Sequence, residues 1–193
     1  MTTKLLKAPL LATLLCGLPL IAADDSKTAK VPKDKFFVGA GLGLGGYGIG
    51  GPSVSAGYIH YFPKDTFIDN KFRQGIRAYG SVGFSYESVS DWSGTLSYLY
   101  LPVIVGADYL LDFNPGEKFV WGIFAGAGLG FRYAHISYES KYYGGLSPSG
   151  PSSFGIAYAI RAGGSLTINN THRIDVSSGF GMSYFGVNYS FLF

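Results

Sequence analysis

FGVNYSFLF, residues 185–193, alternates more regularly than any other segment of its length in the chain's last third. Phe185, Val187, Tyr189, Phe191 and Phe193 fall on one parity, with Gly186, Asn188, Ser190 and Leu192 on the other. Successive side chains of a β-strand point to opposite faces, so the segment reads as a strand with one largely aromatic face. The same period of two recurs on working backwards. Ile174, Val176, Phe180 and Met182 alternate with Arg173, Asp175, Ser177 and Gly179. Between residues 154 and 168, Phe154, Ile156, Tyr158 and Ile160 oppose Ala157, Ala159, Arg161 and Ser165. Between 119 and 133, Phe119, Trp121, Ile123, Ala125, Ala127, Leu129 and Phe131 oppose a glycine-rich face ending in Arg132. Residues 74–86 and 36–44 alternate as cleanly, the former with Arg77 and Glu87 on its polar side. Residues 53–62 and 96–111 are less regular, the second being apolar on both parities near Val103–Val105. Eight candidate strands result.

Composition agrees. The 193 residues include 29 Gly, 15 Phe, 15 Tyr and 2 Trp, against only 12 acidic residues. So few Glu and Gln argue against a helical bundle, and the aromatic content argues against simple disorder. Residues 1–23 carry Lys4 and Lys7, an apolar run from Leu10 to Ile21 and then Ala22-Ala23, the layout of a secretory signal peptide. The Cys16 thiol falls within it, so residues 24–193 have no cysteine and neither disulfides nor thiol chemistry. Residues 24–35 read as a flexible periplasmic leader and 36–193 as the folded domain. From residue 24 onward the charge is close to balanced, with no basic patch to suggest nucleic acid.

An even number of antiparallel strands with one apolar face is what a closed transmembrane barrel requires, since only helices and closed barrels satisfy every backbone group in lipid. The fold class expected is all-β: a transmembrane antiparallel up-and-down β-barrel of eight strands, with both termini periplasmic. Aromatic residues gather near strand ends as interfacial girdles would: Tyr61, Phe62, Tyr109, Phe113 and Trp121 at one end, Trp92, Tyr98, Tyr100, Tyr133 and Tyr138 at the other. Alternation alone does not tell inside from outside, and a soluble cup would turn the same apolar face inward.

FGVNYSFLF resembles the C-terminal signature of Gram-negative outer membrane proteins, an alternating strand ending in an aromatic residue that the barrel-assembly machinery reads. The resemblance marks Phe185, Val187, Tyr189, Phe191 and Phe193. EKFVWGIFAGAGLGFRY (117–133) and IRAGGSLTINNTHRIDVSSGFGMSYFGVNYSFLF (160–193) resemble the C-terminal barrel half of the Helicobacter-type outer membrane protein family. That resemblance implies a location in the outer membrane of a Gram-negative bacterium, among lipid and lipopolysaccharide. Large members of the family with extracellular domains are adhesins and some are described as porins. Here the longest connection expected is 139–153, without a large insertion.

Eight strands enclose a bore just wide enough for side chains. The charges expected in it are Arg77, Glu87, Asp108, Arg132, Arg161, Arg173 and Asp175. Charges in so narrow a space must be paired or hydrated, so a plugged, ion-paired lumen is expected, with a structural or surface-interaction role and no enzymatic activity. A narrow porin is the alternative. A third reading is hydrolytic: His135-Ile136-Ser137 resembles the His-x-Ser pair of the eight-stranded lipid A deacylases, with Glu139 on the same parity. In that family Asn follows the Ser, where this chain has Tyr138, and its acidic residue falls where this chain has Ser149. His60 and His172 have no partner at metal-ligand spacing, and neither a metal nor a cofactor is expected. The glycine-rich GLGLGGYGIGG (41–51) lacks the Lys-Ser/Thr pair of a phosphate loop and reads as a hairpin loop. Lys141, Tyr142 and Tyr143 form a candidate contact loop for an unidentified surface ligand.

Overall fold

The computed structural model describes residues 34–46, 51–62, 72–140 and 149–193. The expected signal peptide, the expected leader up to residue 33, and Lys141, Tyr142 and Tyr143 lie outside the described residues. Among the described residues there are nine strand segments: β1 (Asp34–Leu44), β2 (Pro52–Tyr61), β3 (Phe72–Gly83), β4 (Ser85–Ser90), β5 (Gly94–Phe113), β6 (Phe119–Ser140), β7 (Ser149–Ile168), β8 (His172–Gly181) and β9 (Phe185–Leu192). Every pairing is antiparallel. The order is β3-β2-β1-β9-β8-β7-β6-β5-β4, and a further pairing of β3 with β5 closes the sheet into a ring.

β3 and β4 are one stave with a gap. β3 reaches Val82 opposite Val103, and β4 resumes in the same register with Ser85 opposite Tyr100. The gap therefore faces Pro102, which has no N–H to give to the ladder. Eight staves make the barrel, as the alternation predicts. β1 starts at Asp34, two residues before the expected boundary. Asp34 is held by His60, whose Nδ1 lies 2.7 Å from Asp34 Oδ1, and Lys35 Nζ donates to the Asn170 carbonyl.

Sequence chemistry explains the turns at the end that carries Asp34 and Phe193. Asn169 and Asn170 both have positive φ, and Thr171 N donates to Ile168 O at 3.1 Å, the arrangement of a primed hairpin turn. Pro115 and Gly116, the latter at φ 107°, occupy the centre of the turn closed by Glu117 N on Asn114 O.

The apolar parity points outward. Phe119, Trp121, Ile123, Leu129 and Phe131 are exposed on β6, while the alternating Val120 and Phe124 are buried. The same holds for Phe154, Ile156 and Ile160 on β7 and for Phe185, Val187 and Phe191 on β9. Several aromatics depart from the expected girdles. Tyr61 points into the bore, because it shares a parity with buried Ile59 while His60 faces out. Tyr98 and Tyr100 share the parity of buried Ile104 and Asp108, and Trp92 and Tyr138 lie at the far ends of β4–β5 and β6. An outward apolar face makes a sharp prediction at Ala127, midway along β6 and exposed. Ala127→Arg is expected to destabilise the barrel by about 2–4 kcal/mol in a lipid bilayer, as read by urea unfolding in vesicles. A water-facing position would tolerate the change within about 0.5 kcal/mol.

Strand lengths are unequal. β5, β6 and β7 have 20, 22 and 20 residues, whereas β1, β2, β8 and β9 have 11, 10, 10 and 8. The short staves stop at a rim marked by Leu44, Pro52, Gly181 and Phe185. β4 and the distal parts of β5, β6 and β7 continue past it as a four-stranded sheet on one side of the mouth. The connection expected at 139–153 is thereby shortened, and so is the one between β4 and β5. Residues 88–90, 94–95, 139–140 and 149–153 are strand. Asp91 Oδ1 closes the β4–β5 tip, accepting from Ser93 N at 2.8 Å, Ser93 Oγ at 2.6 Å and Gly94 N at 3.0 Å. Above the membrane neither face of a hairpin needs an apolar parity, so these extensions carry no alternation to read.

Candidate functional site

The bore is organised by arginine. The chain has five, Arg73, Arg77, Arg132, Arg161 and Arg173, and four of them join three aspartates in one unbroken line. At its lower, periplasmic end Arg73 Nη2 donates to Asp112 Oδ2 at 2.9 Å, with the guanidinium 3.9 Å from the centre of the Tyr61 ring. Asp112 also accepts from Arg173 Nη1 at 3.4 Å, and Arg173 donates from Nε to Asp175 Oδ1 at 2.9 Å and from Nη2 to Ser165 Oγ at 2.8 Å. Asp175 accepts from Arg77 Nη1, and Arg77 Nε donates to Asp108 Oδ2 at 2.7 Å. Asp108 finally accepts from Arg161 Nε at 3.1 Å and Nη2 at 2.8 Å. Each aspartate thus serves two arginines.

Burial makes this line necessary. Arg77, Asp108, Asp112, Arg173 and Asp175 are all buried, and Arg173 is wholly so. An unpaired charge in such surroundings would be very costly, and the network supplies each carboxylate with two cations. Phe37, Ile59, Leu110, Val120, Phe124 and Leu192 fill the space around it, so side chains occupy the periplasmic half of the bore. Glycines make room: a Cβ on Gly122 would stand 2.5 Å from Asp112 Oδ1 and 2.8 Å from Ser165 Oγ.

Five of the seven charges expected in the lumen lie in this network: Arg77, Asp108, Arg161, Arg173 and Asp175. The other two have the right parity but the wrong height. Arg132 pairs with Pro102, level with the rim, and is half-buried. Glu87 lies on β4 opposite Tyr98, above the rim, because β2 ends at Pro52. Alternation does not mark Arg73 and Asp112. Arg73 stands beside a turn, and the neighbouring Leu110-Leu111 hides the parity of Asp112. The signal available was spacing: Asp108 and Asp112 share a parity, as do Arg73 and Arg77.

The extracellular half of the bore is an open cup of about 990 Å³, counting its open mouth. Its floor holds Arg77, Tyr79 and Arg161, and its walls carry Ser53, Ser55, Ser81, Ser177 and Asn188 among glycines and apolar groups such as Pro102, Ile104 and Met182.

The hydrolytic candidates stand elsewhere, on the outward face of β6 beyond the rim. His135 Nδ1 lies 2.9 Å from Ser152 Oγ on β7, and that oxygen is also 3.0 Å from Tyr133 Oη. Ser152 is directly opposite His135, whereas the register shifts before Ser137, so the histidine engages Ser152 and not Ser137. Glu139 is exposed at the end of the strand. Among the described residues no group of three His, Cys, Asp or Glu could hold a metal ion.

Phe185 and Val187 are exposed and outward on β9, with Tyr189 and Phe191 on the same face, and Phe193, just past the strand, is exposed as well. Phe193 lies 6.3 Å from both Phe36 and Phe191, ring centre to ring centre.

Among solved structures the chain is similar to Ail, the attachment invasion locus protein of Yersinia pestis, at 14% identity and a TM-score of 0.42. That match covers 82% of this chain and 93% of Ail. Ail in complex with the heparin analogue sucrose octasulfate matches over the same shares, at 13% identity and a TM-score of 0.41. The outer membrane enzyme PagL matches at 18% identity and a TM-score of 0.36, over 81% of this chain and 96% of PagL. No curated protein matches the chain. Residues 53–191 match the model of the family described as Helicobacter outer membrane protein, which spans nearly all of the barrel built above. The barrel, its outward apolar face and that match lead to one conclusion: the chain belongs to the Helicobacter outer membrane protein family.

Proposed function

We propose that this protein is a non-conducting outer membrane barrel that anchors an extracellular contact surface. The observation that carries the reading is the inequality of the staves. β6 runs eight residues beyond Arg132 at the rim, roughly 25 Å along the strand at about 3.3 Å per residue. Structure that lipid does not require is thereby built on the outside of the cell. The surface it offers includes Trp92 at the β4–β5 tip and Tyr138 near the end of β6, both exposed. Tyrosine and tryptophan supply large contact area at low entropic cost, which suits recognition. The side chains filling the periplasmic half of the bore support the non-conducting part of the reading.

Purified protein, shown to be a folded barrel by heat-modifiable gel mobility, is expected to give no discrete conductance steps in a planar bilayer at high salt. Steps of uniform size that persist on repurification would replace this reading with a narrow porin. Removing the β4–β5 tip is expected to leave the barrel folded and to abolish any binding of intact cells to host surfaces that the full chain supports.

A further inference from the structure

We infer that the extracellular cup is a binding site for a small oxyanion, a carboxylate, phosphate or sulfate group, with Arg161 as its cationic contact. The buried line alternates Arg73, Asp112, Arg173, Asp175, Arg77, Asp108 and Arg161, four cations to three anions, so it must end on a cation at both ends. At the lower end the surplus rests on Arg73, buried against Tyr61. At the upper end it rests on Arg161, which alone of the four has a substantially open side chain, 29% exposed.

The geometry of that upper end is that of a receptor. Arg161 spends Nε and Nη2 on Asp108, and its guanidinium lies 4.1 Å from the centre of the Tyr79 ring, which fixes its plane. Nη1 has no hydrogen-bond partner among the described residues. Below it, Arg77 Nη2 is buried and unpartnered, and so is Ser55 Oγ in the wall. Among the described residues no acidic side chain lines the cup, while Ser53, Ser81, Ser177 and Asn188 add hydrogen-bonding groups. A rigidly stacked guanidinium with an unused N–H is well matched to an oxyanion, and the serine walls suit a hydroxylated carrier of that group. The inference is independent of whether the bore conducts, because the cup is open on its extracellular side in either case.

The test titrates inorganic phosphate, and separately sulfate, into the full-length barrel in detergent, with chloride balancing ionic strength. Isothermal calorimetry and the Arg161 Nε–H nuclear magnetic resonance signal serve as readouts. Saturable binding that shifts this signal is expected. Arg161→Gln is expected to weaken it by about tenfold or more, the loss of one charge-assisted hydrogen bond, and Arg161→Lys by less. Because Arg161→Gln leaves Asp108 with one partner, the double variant Asp108→Asn/Arg161→Gln provides a second folded background, again expected not to bind. Competition by added lipopolysaccharide would assign the oxyanion to a neighbouring lipid headgroup, and its absence to a free solute; the site stands in both cases. No saturable binding by the unaltered barrel, or equal binding by both variants, overturns the inference.

Discussion

Arg173→Ala is expected to remove about 3–5 kcal/mol of folding stability, because it breaks a buried charge network by deleting one partner. Arg173 is wholly buried and joins two carboxylates at once, Asp175 at 2.9 Å and Asp112 at 3.4 Å. Without it, Asp112 keeps only Arg73 and Asp175 keeps only Arg77, and Ser165 Oγ loses its donor. Both carboxylates are buried. Urea titration of the barrel in detergent, followed by gel mobility without heating, measures the loss. A companion variant separates charge from packing. Arg173→Met fills a similar volume but leaves the carboxylates as short of cations as alanine does. It is expected to recover only the cavity contribution, and recovery of most of the stability would show that the arginine acts as filler.

The position of Arg173 shows how far the sequence could be read. Its face was legible: Arg173 and Asp175 alternate with Ile174 and Val176, and parity alone turns the charges inward once the apolar side meets lipid. Its partners were not legible. Arg77 and Asp175 are 98 residues apart, and what brings them together is the register of successive staves, which sets the height of each residue in the barrel. Parity assigns a face and says nothing about height. That is why Glu87 and Arg132, correctly placed on the inward parity, stand above the bore or at its rim, and why Arg73 and Asp112, half hidden at strand ends, complete the network. The upward extension of β4–β7 was opaque for a related reason. Lipid imposes alternation, water does not, and SYESVS at 85–90 or the serines near 152 carry little record of being strand. The outward face of β6 was legible from Phe119 to Phe131 because every second residue there must satisfy the membrane.

The same logic bears on the strand read first. Phe193→Ala is expected to cost the refolded barrel only about 1 kcal/mol, while lowering the amount of assembled protein in the outer membrane far more than such a loss explains. The small term follows from the contacts. Phe193 is exposed on the outward face and stacks at 6.3 Å on Phe36 and on Phe191. Its backbone closes the β1–β9 seam through Phe36 N on Phe193 O at 2.9 Å and Phe193 N on Phe36 O at 3.0 Å, and alanine keeps both bonds. The large term follows from the resemblance of residues 185–193 to the outer membrane C-terminal signature, which implies that this aromatic face is what the assembly machinery reads. A side chain that contributes little to the finished barrel yet sits on so regular an aromatic face is better explained by recognition during assembly than by packing. Two measurements separate the roles: urea unfolding of the refolded variant, and the yield of heat-modifiable barrel in outer membrane fractions. If the yield falls only in proportion to the lost stability, Phe193 serves the seam alone and recognition must rest on other residues of β9.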